Sequence, residues 1–213
     1  DVCSSDLVQK SLEGDAMKSQ KKLTVGVVGT GILGQRHARV FRECENTELV
    51  GVADTNLELA KEIGIEYNVP AYGSGEALIE GLQPDIVVVA TPDFAHTDLV
   101  IHSLQAGAHV LVEKPLTTDI EEAYRIISEQ EKANRLVMVN YSQRFVTEFS
   151  WIKQTIAQGA IGQPVLVQSE KFDTIYVPTK MLSWASKTTP FFFMTAHDLD
   201  LVSWYLESRP VEA

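Results

Sequence analysis

The chain has 213 residues, of which 45% are apolar and 22% are charged, as in typical globular domains. Its net charge of −11 argues against nucleic-acid binding, because phosphate backbones are bound by surplus lysine and arginine. No apolar run reaches the roughly 18 residues of a membrane span, and no stretch has the order of a secretory signal, so we expect a cytoplasmic protein. Cys3 and Cys44 have neither a pairing pattern nor metal-ligand spacing, so neither a disulfide framework nor a metal site is expected.

Residues 1–20 are interpreted as a leader that is non-native or disordered. The first seven residues, DVCSSDL, look like the translation of a sequencing-library adapter. They precede Met17, which is followed by an ordinary start. We therefore expect the natural protein to begin at or near this methionine.

Short β-branched runs alternate with longer amphipathic stretches from Leu23 onward, which is typical of βαβ units. Thr118 and Glu121 predict a capping box at the start of the fifth helix, and Gly107 predicts the end of the fourth. These elements predict an α/β fold with a doubly wound parallel sheet covered by helices on both faces. The strands are predicted at residues 23–28, 48–53, 85–90, 109–113 and 136–140. The helices are predicted at residues 32–45, 56–64, 74–81, 94–106 and 119–133.

The pattern changes after residue 145, where we place a domain boundary. A helix through Trp151 is followed by a glycine-containing turn, an alternating strand over residues 165–172 and a helix over residues 195–206. One strand and two helices cannot bury a sheet face alone. Residues 146–213 are therefore expected to form the start of an α+β domain that is incomplete as given.

A glycine-rich loop joins the first predicted strand to the first predicted helix. Gly29 permits a tight turn, Gly31 lets the backbone approach a diphosphate, and Gly34 lets helix and strand pack closely. Free N–H groups at the positive end of the helix would bind the diphosphate. This placement predicts that residues 21–145 form a Rossmann domain that binds a dinucleotide. The loop comprises Gly29, Thr30, Gly31, Ile32, Leu33 and Gly34.

Asp54 ends the second predicted strand, twenty residues after Gly34, where an acid accepts hydrogen bonds from the adenosine ribose. Its charge would repel the 2′-phosphate of NADP, and the following Thr55 and Asn56 offer no positive charge to bind that phosphate. We therefore expect NAD as the cofactor, with NADP less favoured. The alternative interpretation of Asp54 is a turn or helix-cap residue.

The stretch TPDFAHTDLVIHSLQAGAHVLVEKPLT, from Thr91 to Thr117, resembles the hallmark segment of the glucose-fructose oxidoreductase and inositol dehydrogenase (Gfo/Idh/MocA) family. The resemblance extends over residues 22–207, and its most specific element is the Glu-Lys-Pro sequence at residues 113–115. It implies a second domain with an open antiparallel sheet, homo-oligomers formed through that sheet, and hydride transfer between nicotinamide and a hydroxyl carbon of a sugar, inositol or related polyol.

The resemblance also implies roles for individual residues. The nicotinamide and its ribose would be lined by Thr91, Pro92, Glu113 and Pro115, with His96 capping or packing beside the cofactor. Lys114 would reach the reacting hydroxyl, where a cation stabilises developing alkoxide character. The alternative for Lys114 is an ordinary surface lysine at a strand end.

His197 is the best candidate for the general base, because neutral imidazole accepts a proton near pH 7. The family pattern places an aspartate four residues earlier, but this chain has Phe193 there. Asp200 lies on the same predicted helix face and would orient the imidazole, with Asp173 as a weaker option. The alternative for His197 is a capping or packing role.

Four further residues lie outside these motifs. Arg144 follows the last predicted strand and would hold a substrate oxygen or form a salt bridge to the second domain. Trp184 lies in a loop that would offer a flat apolar face to a sugar ring. His37 and His102 are expected to be solvated or packed rather than chemically active.

Together these features predict an NAD-dependent oxidoreductase acting on a sugar, inositol or related polyol. One alternative is a catalytically silent NAD-binding sensor of the same fold, which the phenylalanine at position 193 favours. The other is an imine or enone reductase built on the same first domain. Binding of NAD without reduction in the presence of any polyol would favour the sensor.

Overall fold

The structure, a computed structural model, describes residues 21–172, 174–181 and 184–211. The leader assigned to residues 1–20 and the candidate Asp173 lie outside these residues. The described part forms a parallel sheet of six strands in the order β3-β2-β1-β4-β5-β6, which is the doubly wound arrangement expected. The strands are β1 Leu23–Val28, β2 Thr47–Ala53, β3 Ala71–Tyr72, β4 Ile86–Val89, β5 His109–Val112 and β6 Val137–Val139.

Helices connect the strands and continue beyond the sheet. Short 3-10 turns lie at Asp93–Ala95, Ser142–Phe145 and Ala185–Lys187, and π-helical turns lie at Val177–Met181 and Phe191–Thr195. None of the helices in the described ranges is long and apolar enough to cross a membrane. The α-helices are α1 Ile32–Glu43, α2 Leu57–Tyr67, α3 Gly75–Leu82, α4 His96–Gln105, α5 Ile120–Ala133, α6 Thr147–Ala157 and α7 Ala196–Leu206.

Two apolar cores lie on opposite faces of the sheet. In one, Leu78 of α3, Leu104 of α4 and Ile126 of α5 pack against the sheet. In the other, Ala38 of α1 and Ile63 of α2 pack against the opposite face. Because both faces are covered, the central strands are almost entirely apolar, which confirms the strand pattern read from the sequence.

The capping box predicted from Thr118 and Glu121 is wrong, and α5 is capped one residue later. Asp119 is the N-cap of α5, and its carboxylate accepts hydrogen bonds from the backbone N–H groups of Glu121 and Glu122 at 2.8 and 3.1 Å. The adjacent Glu122 accepts hydrogen bonds from the hydroxyls of Thr97 and Thr117, each at 2.7 Å, which ties α5 to α4. The start of α5 is thus capped by a carboxylate and not by the predicted threonine.

The strand predicted at residues 165–172 is wrong. These residues have no regular secondary structure, and Val165 and Phe172 are 95% and 90% exposed. An alternating strand is stabilised only when a neighbour pairs with its backbone and covers its apolar face, and no described strand does so. By contrast, α6 and α7 pack together, with the Tyr205 hydroxyl 3.3 Å from the carbonyl oxygen of Phe149.

The close approach of α1 to β1 predicts a large penalty for Gly34→Ala. A Cβ at this position would lie 1.7 Å from the carbonyl oxygen of Gly29, a backbone atom that cannot rotate away. We expect a loss of about 3 kcal/mol in the free energy of unfolding, measured by urea denaturation. Gly73→Ala is the control, because no heavy atom lies within 4 Å of its added Cβ. Equal unfolding midpoints for the two variants would contradict this packing.

Candidate functional site

The sequence-predicted cofactor residues meet at one edge of the sheet. The glycine loop follows β1, Asp54 follows β2, Thr91 lies just after β4, and Glu113 comes directly after β5. All these strands are parallel and neighbouring, so their carboxyl ends lie side by side. This is the edge at which open α/β sheets bind ligands.

The glycine loop has the geometry that a diphosphate requires. Gly29 has φ +91°, and a Cβ there would lie 2.5 Å from the carbonyl oxygen of Ala90. Gly31, the N-cap of α1, has open space where its Cβ would be, with no heavy atom within 4 Å. Within the described residues no side chain caps α1, so its first N–H groups are available to an anion. The loop therefore fits a dinucleotide diphosphate.

Asp54 is attached to this loop rather than free in solvent. Its Oδ2 accepts hydrogen bonds from the backbone N–H of Thr30 at 2.7 Å and from the Thr30 hydroxyl at 3.1 Å. Its Oδ1 accepts one from the backbone N–H of Asn56 at 2.8 Å. No lysine or arginine in the described ranges forms an ion pair with it. The carboxylate thus has the local bonds of a turn residue and also lies beside the loop.

Glu113 is buried and receives two hydrogen bonds that sequence reasoning missed. Nε2 of His37 lies 2.7 Å from Oε1 of Glu113, and the side-chain amide of Asn140 donates to the same oxygen at 2.8 Å. Burial raises the pKa of Glu113, but the neighbouring groups, first the hydrogen bonds from His37 and Asn140, together outweigh burial, so its pKa lies below the ordinary value. The carboxylate is therefore held in its charged form at neutral pH.

His96 connects two segments beside the cofactor edge. Its ring nitrogens lie 2.9 Å from the carbonyl oxygens of Pro115 and Thr91, and its side chain is 1% exposed. Pro92 follows Thr91 in the chain and is the N-cap of the 3-10 turn at Asp93–Ala95. In the described part of the chain, the Thr91 hydroxyl is buried without a hydrogen-bond partner, which is the situation expected of a group that binds a ligand.

Lys114 extends toward the π-helical turn before α7. Its ammonium group donates a hydrogen bond to the carbonyl oxygen of Phe193 and lies 4.4 Å from the centre of the Phe193 ring. Burial lowers the pKa of Lys114, although the neighbouring Glu113 carboxylate opposes this shift. Lys114 is therefore a half-buried cation and not a solvated surface lysine.

His197, on the first turn of α7, is close enough to Lys114 for the charge of the lysine to affect its pKa. Burial, together with the positive charges of Lys114 and Lys171, lowers the pKa of His197 to about 4. Among the described residues, its buried Nδ1 has no hydrogen-bond partner. The imidazole is consequently neutral at pH 7 and has a nitrogen free to accept a proton.

Asp200 does not orient His197 as the helical spacing predicts. It forms a bidentate ion pair with Arg144, whose Nε and Nη2 donate to its two oxygens at 2.7 and 2.5 Å. Arg144 lies in the 3-10 turn after β6 and faces α7, so the nearest strong cation binds the carboxylate instead. Of the two roles considered for Arg144, the structure shows the salt bridge.

The segment at residues 184–193, which contains Trp184 and Phe193, packs near Lys114. Trp184 packs edge-on against Phe193, with ring centres 5.9 Å apart, and against Phe94 at 6.5 Å. The hydroxyl of Thr188 donates to the buried carboxylate of Asp93, which fixes this segment to the first domain. In the described ranges no group of three or more potential ligand residues is arranged for a metal ion.

Comparison with known proteins identifies the family of this chain. The model of the family described as "Oxidoreductase family, NAD-binding Rossmann fold" matches residues 23–141. Inositol 2-dehydrogenase 4 from Saccharopolyspora erythraea is 33% identical over 192 residues, covering 88% of this chain and 55% of that protein. Inositol 2-dehydrogenase from Rubrobacter xylanophilus is 30% identical over 191 residues, covering 89% and 54%. The chain thus spans about half the length of these relatives.

Solved structures show the same fold. The crystal structure of apo scyllo-inositol dehydrogenase from Lactobacillus casei superposes with a TM-score of 0.80 at 25% identity, covering 88% of this chain and 56% of that one. A probable dehydrogenase from Thermotoga maritima gives a TM-score of 0.75 at 26% identity, covering 88% and 56%. The chain belongs to the Gfo/Idh/MocA oxidoreductase family and carries its NAD-binding Rossmann fold.

Proposed function

We propose that the protein is an NAD-dependent dehydrogenase that acts on a hydroxyl carbon of inositol or a related polyol. The observation that carries the proposal is that Lys114, which interacts with the neutral His197, follows β5 at the same edge of the sheet as the glycine loop that fits a dinucleotide. The relatives named above are inositol 2-dehydrogenases, which favours an enzyme over a silent sensor or a reductase of imines or enones. We further propose a cytoplasmic homo-oligomer, with domains at residues 21–145 and 146–213.

The cofactor would be held along the carboxyl edge of the sheet. The N–H groups of residues 29–34 would bind the diphosphate, and Asp54 the adenosine ribose. At the other end, the nicotinamide and its ribose would be lined by Thr91, Pro92, Glu113 and Pro115. His96 would hold the backbone of Thr91 and the backbone of Pro115 together. When bound, NAD supplies the ring that accepts the substrate hydride.

Two side chains would act on the substrate hydroxyl, one by stabilising charge on its oxygen and the other by accepting its proton. The ammonium of Lys114 would stabilise the negative charge that develops on the substrate oxygen. His197 would accept the hydroxyl proton, since its imidazole is neutral and one nitrogen has no partner among the described residues. The Trp184 ring would face the substrate, and the Arg144–Asp200 pair would support the pocket wall.

The charge of Asp54 predicts a preference for NADH over NADPH. We expect the chain to bind NADH at least about tenfold more tightly, measured by quenching of protein fluorescence, because a carboxylate repels a 2′-phosphate. Asp54→Asn should narrow this ratio, since the amide keeps an acceptor oxygen but removes the charge. Asp98→Asn on α4, where the aspartate is exposed, is the matched control. Absence of saturable NADH binding would refute the whole assignment.

Lys114→Met should separate catalysis from cofactor binding. We expect the rate of NAD reduction with myo-inositol to fall by about 10²- to 10³-fold, since a donor to the developing oxyanion is lost. The affinity for NADH should change by less than about threefold, because the proposed contacts of Lys114 are with substrate. Lys132→Met, an exposed change on α5, is the control. An unchanged rate would remove Lys114 from the mechanism.

The lowered pKa of His197 predicts a specific pH dependence. In the unfolded chain the imidazole takes up a proton below its ordinary pKa of 6.5, whereas in the folded chain it remains neutral down to about 4. The free energy of unfolding should therefore fall as the pH drops from 6.5 to 4. Below pH 4 the imidazole is protonated in both states, so His197 no longer makes the free energy of unfolding depend on pH. His197→Gln should flatten this part of the profile. Direct NMR titration of His197 near pH 6.5 would contradict the burial.

A further inference from the structure

We propose that His37 is a positioning residue that fixes the Glu113 carboxylate for recognition of the nicotinamide ribose. This inference rests on the proposed function, because it assigns Glu113 to the nicotinamide end of the cofactor. His37 lies on α1, three residues after the last glycine of the loop, and Glu113 lies at the end of β5. The two side chains join elements that are 76 residues apart in the chain.

The contact has the geometry of an oriented hydrogen bond. Nε2 of His37 lies 2.7 Å from Oε1 of Glu113, and their side chains are 15% and 8% exposed. The His37 ring also stacks on Phe41 one turn along α1, with centres 6.4 Å apart and planes 27° apart. The stacking restricts the ring plane, and the 2.7 Å contact shows that Nε2 is the nitrogen that faces the carboxylate. A charged carboxylate has no proton to donate and can only accept hydrogen bonds. The proton in this bond is therefore on Nε2 of His37.

Two donors on one oxygen restrict the carboxylate more than either donor alone. Asn140, just after β6, which pairs with β5, donates to the same Oε1 at 2.8 Å. Together they fix the rotation of the Glu113 side chain and hold it charged. A charged carboxylate in a fixed orientation is suited to accept hydrogen bonds from ribose hydroxyls.

The consequence is a link between the two ends of the cofactor site. The N-terminus of α1 would bind the diphosphate, and the same helix presents His37 to the residue at the nicotinamide end. Loss of the His37 hydrogen bond should therefore weaken ligands that contain the distal ribose and spare those that end at the diphosphate. NADH and ADP-ribose contain this ribose, whereas ADP does not.

The test compares the three ligands on the full chain by titration calorimetry. In His37→Phe, which keeps a ring for Phe41 but removes the donor, we expect NADH and ADP-ribose to bind about tenfold more weakly and ADP to bind within twofold of the wild type. His37→Gln places an amide nitrogen near the position of Nε2 and should restore NADH binding to within about threefold. His37→Asn, whose amide corresponds to Nδ1, should not. His102→Gln on α4 is the matched control.

A measurement without ligand provides a second readout. Histidine ¹⁵N NMR of the chain should show a proton on Nε2 of His37, and Glu113→Gln should shift this resonance while leaving His102 unchanged. Thermal unfolding of each variant separates loss of folding from loss of binding. If His37→Phe does not fold, His37→Asn and the NMR signal carry the test.

The outcomes distinguish the inference from the proposed function. Equal weakening of ADP, ADP-ribose and NADH in His37→Phe would show that His37 only supports α1, and unchanged binding of all three would show that it does not position Glu113. Either result overturns the inference and leaves the proposed cofactor in place. Failure of the wild-type chain to bind NADH overturns both.

Discussion

The near contact between Gly34 and the carbonyl of Gly29 sets the position of α1, and the rest of the site depends on that position. With no Cβ on Gly34, only three residues separate the end of β1 from the start of the helix. Its first N–H groups then lie at the sheet edge, and one turn later Ala38 packs into the core. The same register turns His37 toward Glu113. A packing constraint at one glycine thus aligns the proposed diphosphate site with the proposed nicotinamide site.

Burial raises the pKa of the acid Glu113 and lowers the pKa values of the two bases, Lys114 and His197. Lys114 and His197 both have lowered pKa values because burial disfavours their positive forms. Burial would neutralise Glu113 as well, but hydrogen bonds from His37 and Asn140 keep it negative. The result is an anion, a cation and a neutral base at one edge of the sheet. This combination suits a reaction in which one group stabilises an oxyanion and another takes a proton.

The sequence predicted the Rossmann fold well because its signals are local. The bounds of β1 match the prediction residue for residue, since an apolar strand and a glycine turn are both short-range patterns. The two-residue β3 was missed because it has no apolar run. His37 was assigned a solvated or packed role because its partner lies 76 residues away. For Asp200, helical spacing identified the face of α7 but could not reveal that Arg144 lies opposite it.

The phenylalanine at position 193 makes Glu113 more important to this site. Resemblance to the family places an acid there, which would lie near Lys114 as a compensating charge. In this chain Lys114 instead meets the neutral carbonyl and ring of Phe193. The negative charges that support the ammonium are then those of Glu113 and Asp93. Both carboxylates are buried, but Glu113 has the larger electrostatic effect on Lys114, so the groups that hold its carboxylate also set the field at Lys114.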